Sequence, residues 1–169
     1  MTKEDSSSFA SLRDIMCDDT KVSFYIHQGI SQFNRKDIDK ALSFYDAGLK
    51  RFRHQGMLHY LKANAYFVVK EHKLAMYNYL RAFDSIPDVY SYMRVRQQLT
   101  EPEYKDMEML TYLEINLKIA ETAIEAGELE IAAHPIHHCL PLLAEDPALA
   151  PIRKQFVDLK ARLEKSRQQ

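Results

Sequence analysis

Several residue types are scarce in this sequence, and each scarcity excludes a class of protein. Trp is absent and only four glycines occur. None of the glycines belongs to a phosphate-binding Gly-rich loop or to the G-x-S-x-G turn of a serine hydrolase. The two cysteines, Cys17 and Cys139, are too few for a disulfide framework or a four-ligand zinc site. We therefore expect both thiols to be reduced and packed.

An excess of one charge and a long apolar run are also missing. The 23 basic and 24 acidic residues nearly cancel, so the net charge favours neither nucleic acid nor an anionic membrane as a partner. The longest uninterrupted apolar stretch, Ala65 to Val69, is far too short to span a bilayer. The segment from Met1 to Ser8 is polar and acidic, unlike a secretory signal. These features predict a cytoplasmic protein.

The abundant residues favour helices, and they recur with a fixed period. Leu, Ala, Lys, Glu, Gln and Met dominate over Val and Thr, a balance that favours helix over sheet. Residues of similar size lie 34 positions apart at Gly29 and Ala63, Ala41 and Ala75, Tyr45 and Tyr79, Gly48 and Ala82, and Leu49 and Phe83. Two antiparallel helices joined by a short turn fit this period, because small residues on one helix let the other approach closely.

These residues resemble the pattern of tetratricopeptide repeats. That pattern has a small residue in the first helix, an Ala early in the second, an aromatic residue four positions later, a small residue three further on, and a closing Pro. The stretch from Ala63 to Pro87 carries all of these features, and the stretch from Gly29 to Leu49 lacks only the Pro, with Arg53 in its place. The resemblance implies an all-α solenoid of about three helix-turn-helix repeats.

A third, more divergent repeat is predicted towards the C-terminus. Ala120 and Ala132 have the same separation as the small residues of the first two units, and Gly127 lies at the turn between them. The step from Ala75 to Ala132 is longer than one period, and the excess is roughly the length of one extra helix between the two units. Pro135 and Pro141 predict either a kink in the last helix of this unit or a helix that begins late, near Pro135.

We therefore predict one domain in five parts. These are an N-terminal arm at 1–20, two repeats at 22–87, an insertion at 88–110, a degenerate third repeat at 111–145 and a capping helix at 146–169. The insertion would hold a helix from Asp88 to Leu99, followed by a second helix with Thr100 as its N-cap.

Two apolar stripes mark the ends of the chain. The first consists of Leu149, Ile152, Phe156, Leu159 and Leu163, as expected of a helix that covers the end of a solenoid. The second consists of Phe9, Leu12, Ile15 and Met16 in the N-terminal arm. The arm could cap the first repeat, bind a partner or form a homodimer.

The resemblance also implies a binding surface, because the first helix of each tetratricopeptide repeat lines a concave groove. The positions it assigns to this groove are Ile26, Ile30, Phe33, Asn34, Tyr60, Asn64, Phe67, Leu117, Glu121, Ile124 and Glu125. An apolar, aromatic face with a few amides suits an extended peptide with apolar anchors, and Asn64 could hydrogen-bond the peptide backbone. The alternative is that these side chains belong to the core, or that the N-terminal arm fills the groove.

One difference from a tetratricopeptide subgroup and one further resemblance narrow the expected partner. One tetratricopeptide subgroup binds a C-terminal carboxylate through Lys and Asn, but Ile26 and Ile30 stand at the corresponding positions here. The overall plan resembles the small class II chaperones of bacterial type III secretion, chiefly through Ala120-Glu121 and Gly127-Glu128-Leu129. This resemblance implies a non-enzymatic protein that holds an apolar segment of an unfolded client. The alternative is a scaffold or regulatory adaptor within a stable complex.

One cluster has the character of metal ligands. His134 and His138 lie four residues apart, which places both on one face of a helix. Two imidazoles lack the third and fourth ligands that a tight site requires, and nothing fixes the nearby Glu128 and Glu130 as ligands. We expect no cofactor, and a metal-binding protein or enzyme that uses this cluster is the second alternative.

Overall fold

The computed structural model describes the backbone of residues 21–97, 101–143 and 146–168, and their side chains except at 95–97 and 101–105. The described helices are α1 (Val22–Asn34), α2 (Ile38–Arg51), α3 (Gly56–Val68), α4 (His72–Asp84), α5 (Ile86–Gln97), α6 (Glu101–Glu125), α7 (Leu129–Leu142) and α8 (Ala150–Ser166). A 3-10 turn at Pro147–Leu149 precedes α8, and no strand occurs in these ranges. The predicted all-α class is therefore confirmed. The N-terminal arm and the predicted cap at Thr100 lie outside the described residues.

Six of these helices pack as three hairpins, α1 with α2, α3 with α4, and α6 with α7. The second hairpin repeats the first along the chain. Helix α3 begins at Gly56 and ends at Val68, each one full sequence period after the corresponding end of α1, Val22 and Asn34. The period of side-chain size is therefore also a period of the backbone.

Among the described helices, none is both long enough and apolar enough to cross a membrane.

The three hairpin turns share one backbone conformation. Lys36, Lys70 and Gly127 all have positive φ angles, of 64°, 63° and 77°. The amide of each donates to the carbonyl three residues earlier, at 2.9, 3.1 and 3.1 Å. The next amide donates five residues back, at 3.0, 3.0 and 2.8 Å. This pair of bonds is the Schellman motif, which ends a helix with a left-handed residue.

The turns give a first prediction about stability. Gly127→Ala is expected to lower the free energy of unfolding by about 1–2 kcal/mol, the usual cost of a left-handed L-residue. The loss would come from strain in the local backbone, because, apart from Gly127 and its two chain neighbours, no atom of the described residues lies within 4 Å of a Cβ placed there. Lys70→Gly should stabilise the protein by less, because glycine loses about 0.5–1 kcal/mol of backbone entropy on folding. Urea denaturation measures both, and an unchanged midpoint for Gly127→Ala would contradict the argument.

The small residues identified in the sequence lie where helices meet. Ala41, Ala63, Ala75 and Ala82 are completely buried. A Cβ at Gly29 would lie 2.6 Å from Cδ1 of Tyr45, so only glycine admits this ring between α1 and α2. Close helix packing therefore depends on these positions.

Helix α5 overlaps the helix predicted from Asp88 to Leu99, and it packs against α3, α4 and α6. Its Val89 is completely buried. The ring of Tyr92 lies against His27 of α1, with 6.5 Å between the ring centroids. Helix α5 therefore touches the first helix of every hairpin. We call the surface of α1, α3 and α6 that it contacts the inner face.

The last two described α-helices show one departure from expectation and one agreement. Helix α7 runs from Leu129 to Leu142 with Pro135 and Pro141 inside it, so the predicted late start is wrong. The helix continues through both prolines although neither can donate an amide hydrogen bond. The predicted apolar stripe of α8 packs inward, since its Phe156, Leu159 and Leu163 are 0%, 5% and 1% exposed.

Candidate functional site

The structure places the predicted groove residues in different environments. Ile26 and Tyr60 are buried, at 2% and 8% exposure. Four others, Ile30, Phe33, Asn34 and Asn64, line a single cleft. Leu117 and Glu121 line a second cleft. Phe67 lies against Lys118, and Glu125 forms an ion pair. Ile124 packs on a second buried cluster, which includes Leu113, Ile136 and Phe156 and which we call the C-terminal core.

The first cleft lies between α1 and α3, and we call it the α1–α3 cleft. Its lining consists of Ile30, Phe33, Asn34, Tyr45, Leu61 and Asn64, around a volume of about 220 Å³. None of these lining side chains is charged. Such a cleft suits an apolar side chain, while the two amides can hydrogen-bond the backbone that carries it.

A hydrogen bond from Tyr79 of α4 holds the Asn64 side chain in one orientation. The hydroxyl of Tyr79 donates to Asn64 Oδ1 at 2.6 Å. Burial raises the pKa of Tyr79 above its ordinary value, so this hydroxyl remains a donor throughout the physiological range. The bond fixes which end of the amide is which, and the NH2 group of Asn64 can donate to a ligand in the cleft.

The second cleft lies between α6 and α8 and has mixed charge. It has a volume of about 180 Å³ and is lined by Leu117, Glu121, Gln155, Asp158, Leu159 and Arg162. Lys118 pairs with Glu121 at 3.1 Å, and Arg162 pairs with Glu125. The contribution of α8 was not predicted from the sequence, in which that helix was interpreted only as a cap.

Contacts between α3 and α6 use other predicted groove residues. The Tyr60 hydroxyl donates to Glu114 at 2.8 Å. The Lys118 ammonium lies 4.2 Å from the centroid of the Phe67 ring, within the range of a cation–π contact. Tyr60 and Phe67 of α3 thus help to join the second hairpin to the third.

A third cleft, of about 210 Å³, lies between α4, α6 and α7 and was not foreseen from the sequence. Its mostly apolar lining comprises Leu80, Phe83, Tyr112, Asn116, Ile119, Ile131, His134, Pro135 and His138. The one sign of this cleft in the sequence was the cluster around Pro135. Pro135, His134 and His138 form one wall of the cleft.

The histidine cluster lacks the remaining elements of a metal centre or a catalytic dyad. The rings of His134 and His138 are stacked, with centroids 6.2 Å apart, and both side chains are exposed. Within the described residues, no three His, Cys, Asp or Glu side chains are placed to hold a metal ion. Cys139 is completely buried and follows the exposed His138, so the two side chains point in different directions.

Cys139 should therefore be unreactive in the folded protein. Burial raises the pKa of its thiol to about 11, so almost no thiolate exists at pH 8. In a Cys17→Ser variant, we expect a chromogenic disulfide reagent to label no thiol in native buffer and one thiol in denaturant. Rapid labelling of the native variant would contradict the burial of Cys139.

Comparison with protein-family models, with curated proteins and with solved structures finds no match to this chain. Its function must therefore be inferred from the geometry of its clefts.

Proposed function

We propose that this chain is a non-enzymatic protein-binding module of tetratricopeptide type, which holds an apolar segment of a partner protein in the α1–α3 cleft. The observation that carries the proposal is the meeting of Ile30, Phe33, Asn34 and Asn64 in one uncharged cleft. These four are among the residues that the resemblance to tetratricopeptide repeats assigns to a groove. The oriented amide of Asn64 adds a donor for a peptide carbonyl.

Two further features support the repeat assignment. The first two hairpins are offset by the same step that separates successive tetratricopeptide repeats. All three turns use the same left-handed residue and the same two hydrogen bonds. The step from Lys70 in the second turn to Gly127 in the third is longer, and it fits a repeat unit plus one inserted helix, which is α5.

Within this function, we favour a chaperone-like role in the cytoplasm over a scaffold for a folded partner. A cleft of about 220 Å³ accommodates single side chains of an extended segment better than the broad surface of a folded domain. A stable complex with a folded partner is the competing function.

A co-purification experiment tests this proposal. The wild-type chain, a Phe33→Ala/Asn64→Ala variant and a Leu74→Ala control would be used as bait in the native cell extract. Leu74 is 44% exposed on α4 and lies outside the cleft lining. We expect the double variant to retain a given partner at least tenfold less well, a loss of about 1.4 kcal/mol of binding free energy. Limited proteolysis of the partner would distinguish an unfolded client from a folded one.

The opposite result is equally informative. If the double variant retains the same partner as well as the wild type and the Leu74→Ala control do, the α1–α3 cleft is not the binding site. Circular dichroism of all three proteins would ensure that a loss of binding does not reflect unfolding.

A further inference from the structure

The third cleft, between α4, α6 and α7, has an aromatic wall. The Tyr112 ring of α6 contacts two other rings, with its centroid 5.6 Å from that of Phe83 and 6.3 Å from that of His138. The ring of His134 stacks on His138 at the exposed rim. No aspartate, glutamate, lysine or arginine lines the cleft. Such a wall suits a flat, uncharged ring, because aromatic rings pack favourably edge-on or offset.

The size of the cleft and its surroundings set the size of the occupant. Its volume is about 210 Å³, whereas an apolar cavity of about 150 Å³ is already large enough to bind benzene. The cleft adjoins a wider one of about 390 Å³, which shares Tyr112 and His138 and is otherwise lined by Tyr90, Glu108, Met109 and Leu142. Met109 and Leu142 are 46% and 50% exposed. Apolar surface therefore continues outwards from the third cleft, as a site for the residues that flank an inserted ring requires.

Two residues that line the cleft carry acceptors with incomplete hydrogen bonding. Asn116 is only 5% exposed, and its Nδ2 donates to the Tyr112 carbonyl at 2.8 Å. Its Oδ1 accepts no hydrogen bond from the residues that the structure describes. The Ile131 carbonyl lacks its usual helical donor, because Pro135, four residues later, has no amide hydrogen. An N–H group of a ligand would therefore be stabilised in this cleft.

These acceptors distinguish between the aromatic side chains that a partner can offer. A phenylalanine ring has no donor. A tyrosine hydroxyl is both a donor and an acceptor, so it brings an acceptor of its own into an apolar site. The indole of tryptophan is a donor only, and it is also the largest of the three rings.

We propose that the third cleft binds a tryptophan side chain of a partner protein. The indole packs against Phe83 and Tyr112 and donates its N–H to Asn116 Oδ1, and apolar residues beside the tryptophan lie on Met109 and Leu142. This site is separate from the α1–α3 cleft, so it gives the chain a second contact with a partner.

The absence of Trp from the chain makes the test direct. The probe is a synthetic peptide, acetyl-Leu-Trp-Leu-amide, whose indole fluorescence is excited where tyrosine does not absorb. On titration with the full-length chain, we expect its emission to shift to shorter wavelength and to saturate as the indole leaves water. A matched peptide with 1-methyltryptophan keeps the ring but lacks the N–H. It should bind about tenfold less tightly, because the acceptor is then left without a donor.

A variant of the chain identifies the acceptor. Asn116→Leu should weaken the binding of the tryptophan peptide about tenfold, and it should affect the methylated peptide much less, since that peptide has no hydrogen bond to lose. His137→Leu, at an exposed position of α7 outside the cleft lining, should bind both peptides as the wild type does.

Several results would overturn the inference. These are no spectral shift with the tryptophan peptide at millimolar concentration, equal affinity of the two peptides for the wild type, or equal loss of both in Asn116→Leu. If N-acetyltryptophanamide binds as tightly as the peptide, the cleft is a site for a small molecule and not for a partner segment. The two peptides still decide the matter on the wild type if circular dichroism shows that Asn116→Leu is unfolded. The experiment with Phe33→Ala/Asn64→Ala concerns a different cleft, so the two proposals can fail separately.

Discussion

Tyr79→Ala is expected to lower the free energy of unfolding by about 3–5 kcal/mol, the usual cost of removing a buried aromatic ring. Tyr79 is completely buried in α4, and its ring packs edge-on against Tyr60 of α3 with 6.1 Å between centroids. The cavity would open between the two helices of the second hairpin, where the fully buried Ala63 and Ala75 already bring the backbones close and limit collapse. Chemical denaturation followed by far-ultraviolet circular dichroism measures the loss.

The same helix provides a matched control. Tyr77 lies two residues before Tyr79 and is 57% exposed. Tyr77→Ala should change stability by no more than about 0.5 kcal/mol, as is usual for a surface position. If Tyr79→Ala proves no more destabilising than Tyr77→Ala, the packing of the second hairpin is not as described.

A conservative change at Tyr79 separates packing from hydrogen bonding. Tyr79→Phe keeps the ring but removes the donor to Asn64, which should cost about 0.5–1.5 kcal/mol of stability. It should also weaken partner binding in the α1–α3 cleft, since the Asn64 amide then loses the bond that orients it. Binding would be unaffected if Asn64 had no part in recognition.

The hairpins could be predicted because their determinants are local and periodic. Gly29 and Tyr45 meet across the first hairpin, and Ala63 and Tyr79 occupy the corresponding positions one period later, so a pattern of sizes was sufficient to predict two successive hairpins. The left-handed conformation of the turn residues was harder to predict from the sequence. Only the third turn carries Gly127, whereas Lys36 and Lys70 adopt the same conformation without a glycine to mark it.

The candidate site was predicted only in part, because α5 binds where no local pattern indicates. Ile26 and Tyr60 belong to one buried cluster with Val89 of α5, a helix that follows the second hairpin. The bond between Tyr79 and Asn64 likewise joins two helices and follows from the fold rather than from any motif. Ile30, Phe33 and Asn34 lie near the end of α1, where the cleft is open.

The second cleft, between α6 and α8, shows a second limit of prediction from the sequence. The apolar stripe of α8 predicted which side of that helix packs, and Phe156 and Leu163 are buried as expected. The polar residues Gln155, Asp158 and Arg162 carried no such signal, because solvent-exposed and cleft-lining polar positions look alike in a sequence. The partner of Arg162, Glu125, lies on a helix distant in the chain.

Phe156→Ala is expected to have a similarly large effect, about 3–5 kcal/mol, but on a different part of the molecule. Phe156 is completely buried in the C-terminal core, together with Leu159 and Leu163 of the same helix. The ion pairs of α8, Arg162 with Glu125 and Arg167 with Glu130, involve exposed groups and contribute little. The apolar stripe therefore provides most of the attachment of α8, and the loss of its largest member should release the helix.

Release of α8 is expected to be local before it is global. Within the described part of the chain α8 contacts α6 and α7, with no comparable contact to the first two hairpins. Hydrogen exchange should therefore accelerate first in α8 (Ala150–Ser166) and then in α7, while amides of α1 to α4 keep their protection. Val157→Ala, at the next position with 49% exposure, should leave the exchange pattern unchanged. Uniform loss of protection along the whole chain would show instead that the two cores unfold as one unit, and that α8 stabilises the N-terminal hairpins as strongly as its own neighbours.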